Sequence, residues 1–213
     1  MDHLTTLPLS QLPDTELVSR VLSGERHLFE WIMRRYNQGL FRVGVSILGN
    51  EMEVEDAMQN AYIKAYQHLN KFEQRASLST WLVKILMNEC LAQKNKKARL
   101  KLTNAEYHPE NMGSMKTPSN ILMNKELGIV LETAIAHLPE KYRLVFMLRE
   151  MEELPVKETG DILGIETANV KVRLNRAKAM LRQSLSNDMK ERVYTFHLTR
   201  CDRLVNHVLN SIA

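Results

Sequence analysis

Apolar residues recur at helical spacing along most of this chain, and no stretch shows a sustained alternation of Val, Ile or Thr. After a loose tail over Met1–Leu12, Leu17, Val18, Val21 and Leu22 mark a first helix, with Asp14 as its cap and Gly24 as its stop. Leu28, Phe29, Ile32, Met33 and Tyr36 continue the spacing. Phe41, Val45 and Leu48 extend it until Gly49 and Asn50 break it. The cleanest amphipathic helix follows, with Val54, Ala57, Met58, Ala61, Tyr62, Ala65 and Leu69 on one side. Its other face carries Glu55, Asp56, Gln59, Asn60 and Lys64. A polar loop over Glu73–Ser77 precedes a helix capped by Ser79, in which Trp81, Leu82, Ile85 and Leu86 face inward.

Periodicity collapses between Leu100 and Asn124, where Asn104, Pro109, Asn111, Gly113, Pro118 and Asn120 punctuate the chain. That is longer than an ordinary connection inside a compact domain and predicts a linker between two domains. Leu127, Val130, Leu131, Ala134, Ile135 and Leu138 predict the next helix, which stops before Pro139. Pro139 opens another at its first turn, burying Val145, Phe146 and Leu148.

The segment Leu154–Leu185 has the grammar of a helix-turn-helix. A short helix containing Gly160 leads to a turn at Gly164. A second helix follows, with Thr167 as its cap. It carries Lys171, Arg173, Arg176, Lys178 and Arg182, with no acid between Thr167 and Arg182. Such a face suits phosphates and base edges. Ile162, Leu163, Ile165, Val170 and Leu174 lock the helix pair.

Composition agrees with an all-α fold, because Leu, Met, Ala, Glu, Lys and Arg dominate the 213 residues. The expected architecture is two small helical domains joined by a linker, plus a helical C-terminal extension. The boundaries are 13–99, a linker over 100–124, a helix-turn-helix domain over 125–185 and an extension over 186–213. The formal charge of +4 says little alone, but its distribution says more. Lys94, Lys96, Lys97, Arg99 and Lys101 form one basic run and 171–182 a second, while acids gather at Glu51–Asp56 and Glu150–Glu153. Two separate basic patches suggest two contacts with one polyanion. Phe72, at the end of a helix beside the polar loop and upstream of the first run, is a candidate for stacking on an exposed base. Trp81, at core spacing, reads as packing.

Cys90 and Cys201 do not suggest a disulfide framework. No signal-like N-terminus and no membrane-spanning apolar run is present, so a cytoplasmic protein without membrane insertion is expected. In the extension His197 and Cys201 lie four apart, with Asp202 and His207 nearby. Two close ligands are too few for a closed zinc site. Phe196, Cys201, Leu204, Val205, Val208 and Leu209 read instead as an apolar stripe for packing or partner docking. Neither a metal nor a cofactor is expected.

At this point a family resemblance becomes specific. The segment EVEDAMQNAYIKAYQHLNKF over Glu53–Phe72 resembles the signature helix of bacterial sigma factors. SLSTWLVKILMNECLA over Ser77–Ala92 resembles the promoter-melting and minus-ten-reading segments. Leu138–Leu185, with LPEKYR and VKVRLNRAK, resembles the minus-thirty-five-reading domain. Both domains in order, without a large extra one, resemble the extracytoplasmic-function (ECF) class over roughly residues 14–185. The resemblance implies a non-enzymatic subunit that binds core RNA polymerase and directs it to promoter DNA. Asp56, Gln59, Asn60, Tyr62 and Lys64 would lie on or beside the polymerase-binding surface. Phe72, the loop Glu73–Ser77 and Asn88 would capture flipped minus-ten bases, with Lys94, Lys96, Lys97 and Arg99 holding the backbone. Lys171, Arg173, Asn175 and Arg176 would form the minus-thirty-five-reading face, and Arg149 would contact a phosphate. The family often pairs with an inhibitory anti-sigma factor.

The chain departs from the family pattern at Thr159, where an aliphatic residue is usual, at Val172, where Ser is common, and at Asn175, where His or an aromatic is common. Gln93 and Asn95 dilute the basic character after Asn88. The alternative reading is a self-sufficient helix-turn-helix regulator whose first domain senses a signal or dimerises. A metal-dependent enzyme built on His197 and Cys201 would need a third ligand.

Overall fold

The computed structural model describes residues 8–103 and 122–192. Every regular element among them is helical: α1 Asp14–Leu22, α2 Phe29–Leu48, α3 Glu51–Gln67, α4 Leu78–Thr103, α5 Leu122–His137, α6 Glu140–Phe146, α7 Val156–Leu163 and α8 Thr167–Arg192. Single 3-10 turns cover Leu9–Gln11, Arg26–Leu28 and Leu69–Lys71. The expected loose tail is thus partly structured, and Leu9 and Leu12 pack against the core.

Local chemistry sets the helix ends. Gly49, at φ 71°, turns the chain left-handed after α2. Asn50 caps α3 by accepting the Glu53 N–H at 3.1 Å. Two of the three expected caps move in this part of the chain. Pro13 holds the cap position of α1, and Asp14 sits in the first turn, where its carboxylate takes Arg35 at 2.5 Å and the Tyr36 hydroxyl. Ser77 caps α4 in place of Ser79, its Oγ accepting the Thr80 N–H at 3.1 Å. A cap must lie just outside the helix, and Ser79 is already inside it.

The core forms where α1, α2, α3 and α4 meet, around fully buried Leu17, Leu28, Ile32, Leu40, Val43, Val54, Leu69, Leu82 and Leu86. In the second half of α2 the inward positions are Leu40, Val43 and Ile47, whereas the expected Phe41, Val45 and Leu48 are half-buried. Ile32, Val43 and Ile47 keep one helical phase through the element, and that phase sets the register. In α6 and the turn after it Leu144, Val145 and Leu148 are buried, while Phe146 is half-buried.

The described parts of 1–119 and Pro139–Ala177 form one compact unit, and those of 120–138 and 178–213 form another. Within the first unit, α6 and a π-helical turn over Met147–Met151 pack on α2. Helix α4 runs to Thr103 and α5 begins at Leu122, so helix enters both ends of the expected 100–124 linker. The rest of that linker lies outside the described residues. Helix α8 continues past the expected boundary at 185 to Arg192. His197, Cys201, Asp202 and His207 also lie outside the described residues.

Candidate nucleic-acid interface

The helix-turn-helix is held by one close approach and one left-handed turn. A Cβ on Gly160 would lie 2.7 Å from the Ile165 carbonyl oxygen, so only glycine lets α7 meet the turn that closely. Gly164, at φ 63°, ends α7, and the Ile165 N–H returns to the Gly160 carbonyl at 3.0 Å. Helix α8 starts at Thr167, so the expected cap lies inside the helix, and the preceding Glu166 carbonyl accepts the Val170 N–H at 3.1 Å. Thr159 is fully buried, with its hydroxyl donating to the Pro155 carbonyl at 3.0 Å. That bond reconciles a polar group with an aliphatic site.

On α8, Val170, Ala177 and Leu181 are buried, which turns the basic residues outward. Lys171, Asn175 and Arg176 are exposed and Arg173 is half-exposed. The Arg173 Nε donates to Asn169 Oδ1 at 3.0 Å, leaving both terminal nitrogens of the fork for other partners. Arg176 reaches the Tyr142 hydroxyl at 3.5 Å. That bond, with Lys141 at 5.0 Å from the ring centre, lowers the Tyr142 pKa from its ordinary value. Arg149, inside the π-helical turn, instead reaches the Leu154 carbonyl just beyond it, a partner within the chain.

A second basic surface runs along α4. Phe72 is half-buried, and its ring packs on Trp81 with centroids 5.4 Å apart and planes tilted by 45°. Trp81 is therefore the support and Phe72 the ring beside the loop, where Gln74 adopts a φ of 55°. Asn88 is exposed on α4, about 16 Å along the axis from Ser77 at 1.5 Å per residue. Lys96 and Arg99 line one shallow groove with Ala92, Asn95 and Leu100. Lys94 and Lys97 already hold carboxylates: Glu140 at 2.5 Å and Glu53 at 2.6 Å.

Helix α3 places Asp56, Gln59, Asn60 and Lys64 on its exposed side, opposite buried Val54, Ala57, Ala61 and Ala65. Lys64 pairs with Glu89 at 2.6 Å. Tyr62 departs from the group. It is buried, it donates to Asn37 Oδ1 at 2.9 Å, and burial pushes its pKa up. Its edge nevertheless lines an open groove of about 620 Å3 between α2 and α3, together with Gln59, Met33 and Phe41. Met52 and Ile63 stay exposed on α3 at 77% and 56%, apolar area that the fold leaves uncovered.

Helical periodicity did not single out the contacts between 139–177 and the first helices. Arg42 pairs with Glu152 at 2.8 Å, Arg143 donates to the Ser46 carbonyl at 2.9 Å, and Thr80 donates to Glu158. One usable signal exists. Gly39 sits inside α2, where glycine costs about 1 kcal/mol relative to alanine, and the Glu152 carboxylate lies where a Cβ would stand. Cys90 is buried and its thiol is pushed up to about 12 by burial. Among the described residues no three His, Cys, Asp or Glu side chains could share a metal, and no helix is long and apolar enough to cross a membrane.

Comparison with known proteins decides the family. The Sigma-70 region 2 model matches residues 32–100 and the Sigma-70, region 4 model matches 129–181. The ECF RNA polymerase sigma factor SigW of Bacillus subtilis is 30% identical over 176 residues, covering 79% of this chain and 94% of SigW. The chain belongs to the ECF family of RNA polymerase sigma factors. The ECF RNA polymerase sigma-E factor of Escherichia coli is also 30% identical over 176 residues, covering 79% of this chain and 92% of that protein. The fold of this ECF sigma factor matches the sigma factor RpoE of Bartonella quintana, solved in complex with the anti-sigma factor NepR. The TM-score is 0.63 at 21% identity, over 74% of this chain and 96% of that one. In this ECF sigma factor the region 2 match spans most of α2, all of α3 and most of α4, and the region 4 match runs from within α5 through the helix-turn-helix.

Proposed function

We propose that this ECF sigma factor binds core RNA polymerase in the cytoplasm and directs it to promoters by reading minus-ten and minus-thirty-five elements. The observation that carries this reading is the joint presence of two exposed surfaces in family order. One is the α3 face with Asp56, Gln59 and Asn60 beside exposed Met52 and Ile63. The other is α8, free of acids from Thr167 to Arg182 and set by the Gly160–Gly164 turn. The α3 face, with Lys64, and the groove edge at Tyr62 take the polymerase. Phe72, Asn88, Lys94, Lys96, Lys97 and Arg99 take the minus-ten strand. Lys171, Arg173, Asn175 and Arg176 take the minus-thirty-five duplex. Arg149 reaches a phosphate after leaving the Leu154 carbonyl. An inhibitory anti-sigma factor is a further partner, and exposed Met52 and Ile63 give such a protein apolar area when polymerase is absent.

The test is run-off transcription with core polymerase, with and without this chain, on genomic promoter fragments. Discrete new transcripts that are lost with Arg173→Ala and with Asn88→Ala are expected. Failure to bind polymerase, together with specific duplex binding by the free chain, would replace this function with that of a self-sufficient regulator. For the inhibitor, a pull-down from uninduced cells that recovers polymerase and no other stoichiometric protein would count against it.

A further inference from the structure

Helix α8 carries an apolar side chain at the centre of its outward face. Buried Val170 and Ala177 define the inward direction, and at 100° per residue Val172 lies about 200° round from Val170. Val172 is 48% exposed, with exposed Ala168 and Asn175 along the same line of the helix. A valine there has a poor helix propensity and is only half covered, so little in the folded chain asks for it. Its neighbours Lys171, Arg173 and Arg176 are all cationic, and this one-signed rim fits a polyanion. In the major groove of duplex DNA the one apolar feature on the base edges is the thymine C5-methyl group.

We propose that Val172 reads a thymine methyl in the minus-thirty-five element and thereby sets part of this chain's promoter specificity. The inference rests on the proposed function, in which α8 enters the major groove. Arg173 flanks the contact, its Nε held by Asn169 and its terminal nitrogens left for a guanine or a phosphate.

The experiment uses holoenzyme assembled from core polymerase and the full chain, on a promoter identified by run-off transcription. Each thymine of the minus-thirty-five element is replaced in turn by deoxyuridine, which removes the methyl and leaves the hydrogen-bonding edge unchanged. At one position wild-type initiation should fall about fourfold, the worth of one buried methyl group. Val172→Ala should start lower on the unmodified promoter and show no further loss at that position. It should keep the wild-type response at every other position. Folding is guarded by the substitution itself, since alanine is the better helix former at an exposed site. Transcription that responds to no thymine replacement, or a Val172→Ala holoenzyme with the same pattern as wild type, overturns this inference alone. Failure of the run-off screen to yield any promoter overturns the proposed function and this inference with it.

Discussion

Gly160→Ala is the sharpest test of how the helix-turn-helix is built. In an open helical position the substitution would gain about 1 kcal/mol, because alanine has the higher helix propensity. Here the new Cβ would lie 2.7 Å from the Ile165 carbonyl oxygen and 3.7 Å from a Val170 methyl. The valine contact is ordinary, but the carbonyl is backbone and cannot rotate aside. Relief requires the turn to move by several tenths of an ångström, and the 3.0 Å bond from Ile165 N–H to the Gly160 carbonyl is part of that turn. Overpacking of this kind costs about 1–3 kcal/mol, and more where backbone must shift, so the net expectation is a loss of about 1–2 kcal/mol. Gly164→Ala provides the contrast. It has open space around it and a φ of 63°, so its cost of about 1–2 kcal/mol comes from the left-handed conformation alone. Urea unfolding followed by helical circular dichroism reads both, with midpoints compared at a matched slope. Promoter-dependent initiation should fall further for Gly160→Ala than for Gly164→Ala, since only the former displaces the start of α8. A Gly160→Ala protein as stable as wild type would refute the close approach.

The remaining predictions concern ion pairs and titrations. Arg42→Ala leaves the Glu152 carboxylate, whose side chain is 9% exposed, without its partner, and should lower stability by about 1–3 kcal/mol after discounting for the half-open arginine. The double variant Arg42→Met with Glu152→Met should lose less, and equal losses in urea unfolding would argue against the pair. Cys90, with its thiol pushed up to about 12 by burial, should resist iodoacetamide at pH 8 in the folded chain and react in urea. Modification of native Cys90 within minutes, read by peptide mass spectrometry, would contradict that burial. Tyr142 titrates below the ordinary phenol range chiefly because Arg176 bonds its hydroxyl, so Arg176→Ala should raise its pKa in a tyrosinate absorbance titration. An unchanged titration would show that the bond does not persist in solution.

Much of this architecture was legible because helical periodicity is a local signal. The α3 stripe, the stop at Gly49 and the Gly160–Gly164 turn all follow from residues within one or two helical turns of each other. The misplaced details have two causes. Whether Ser77 or Ser79 caps α4 turns on a single residue of helix length. The choice of Leu40, Val43 and Ile47 over Phe41, Val45 and Leu48 depends on which neighbours α2 meets. For the candidate site, residue types and helix faces were readable, including exposed Asn88, Lys171, Asn175 and Arg176. The inward turn of Tyr62 and the partners of Arg149, Lys94 and Lys97 were not. Those depend on groups distant in the chain, as with Lys94 and Glu140, or on the irregular turn at Met147–Met151.

Under the proposed function, in which Lys94 and Lys97 take the minus-ten strand, their carboxylate partners change what salt should do to promoter binding. A lysine that meets a phosphate with no prior partner releases about 0.7 of a condensed counterion from a single strand and about 0.9 from duplex DNA. Lys94 and Lys97 must first part from Glu140 and Glu53, and each freed carboxylate then gathers cations of its own. The step becomes an exchange of anions around a fixed ammonium, with little net ion release. Binding of this kind depends on ionic strength less steeply than the number of basic residues on the surface suggests. It also weakens the hold on random nucleic acid, which supplies phosphates but no matched base contacts to offset the lost pairs.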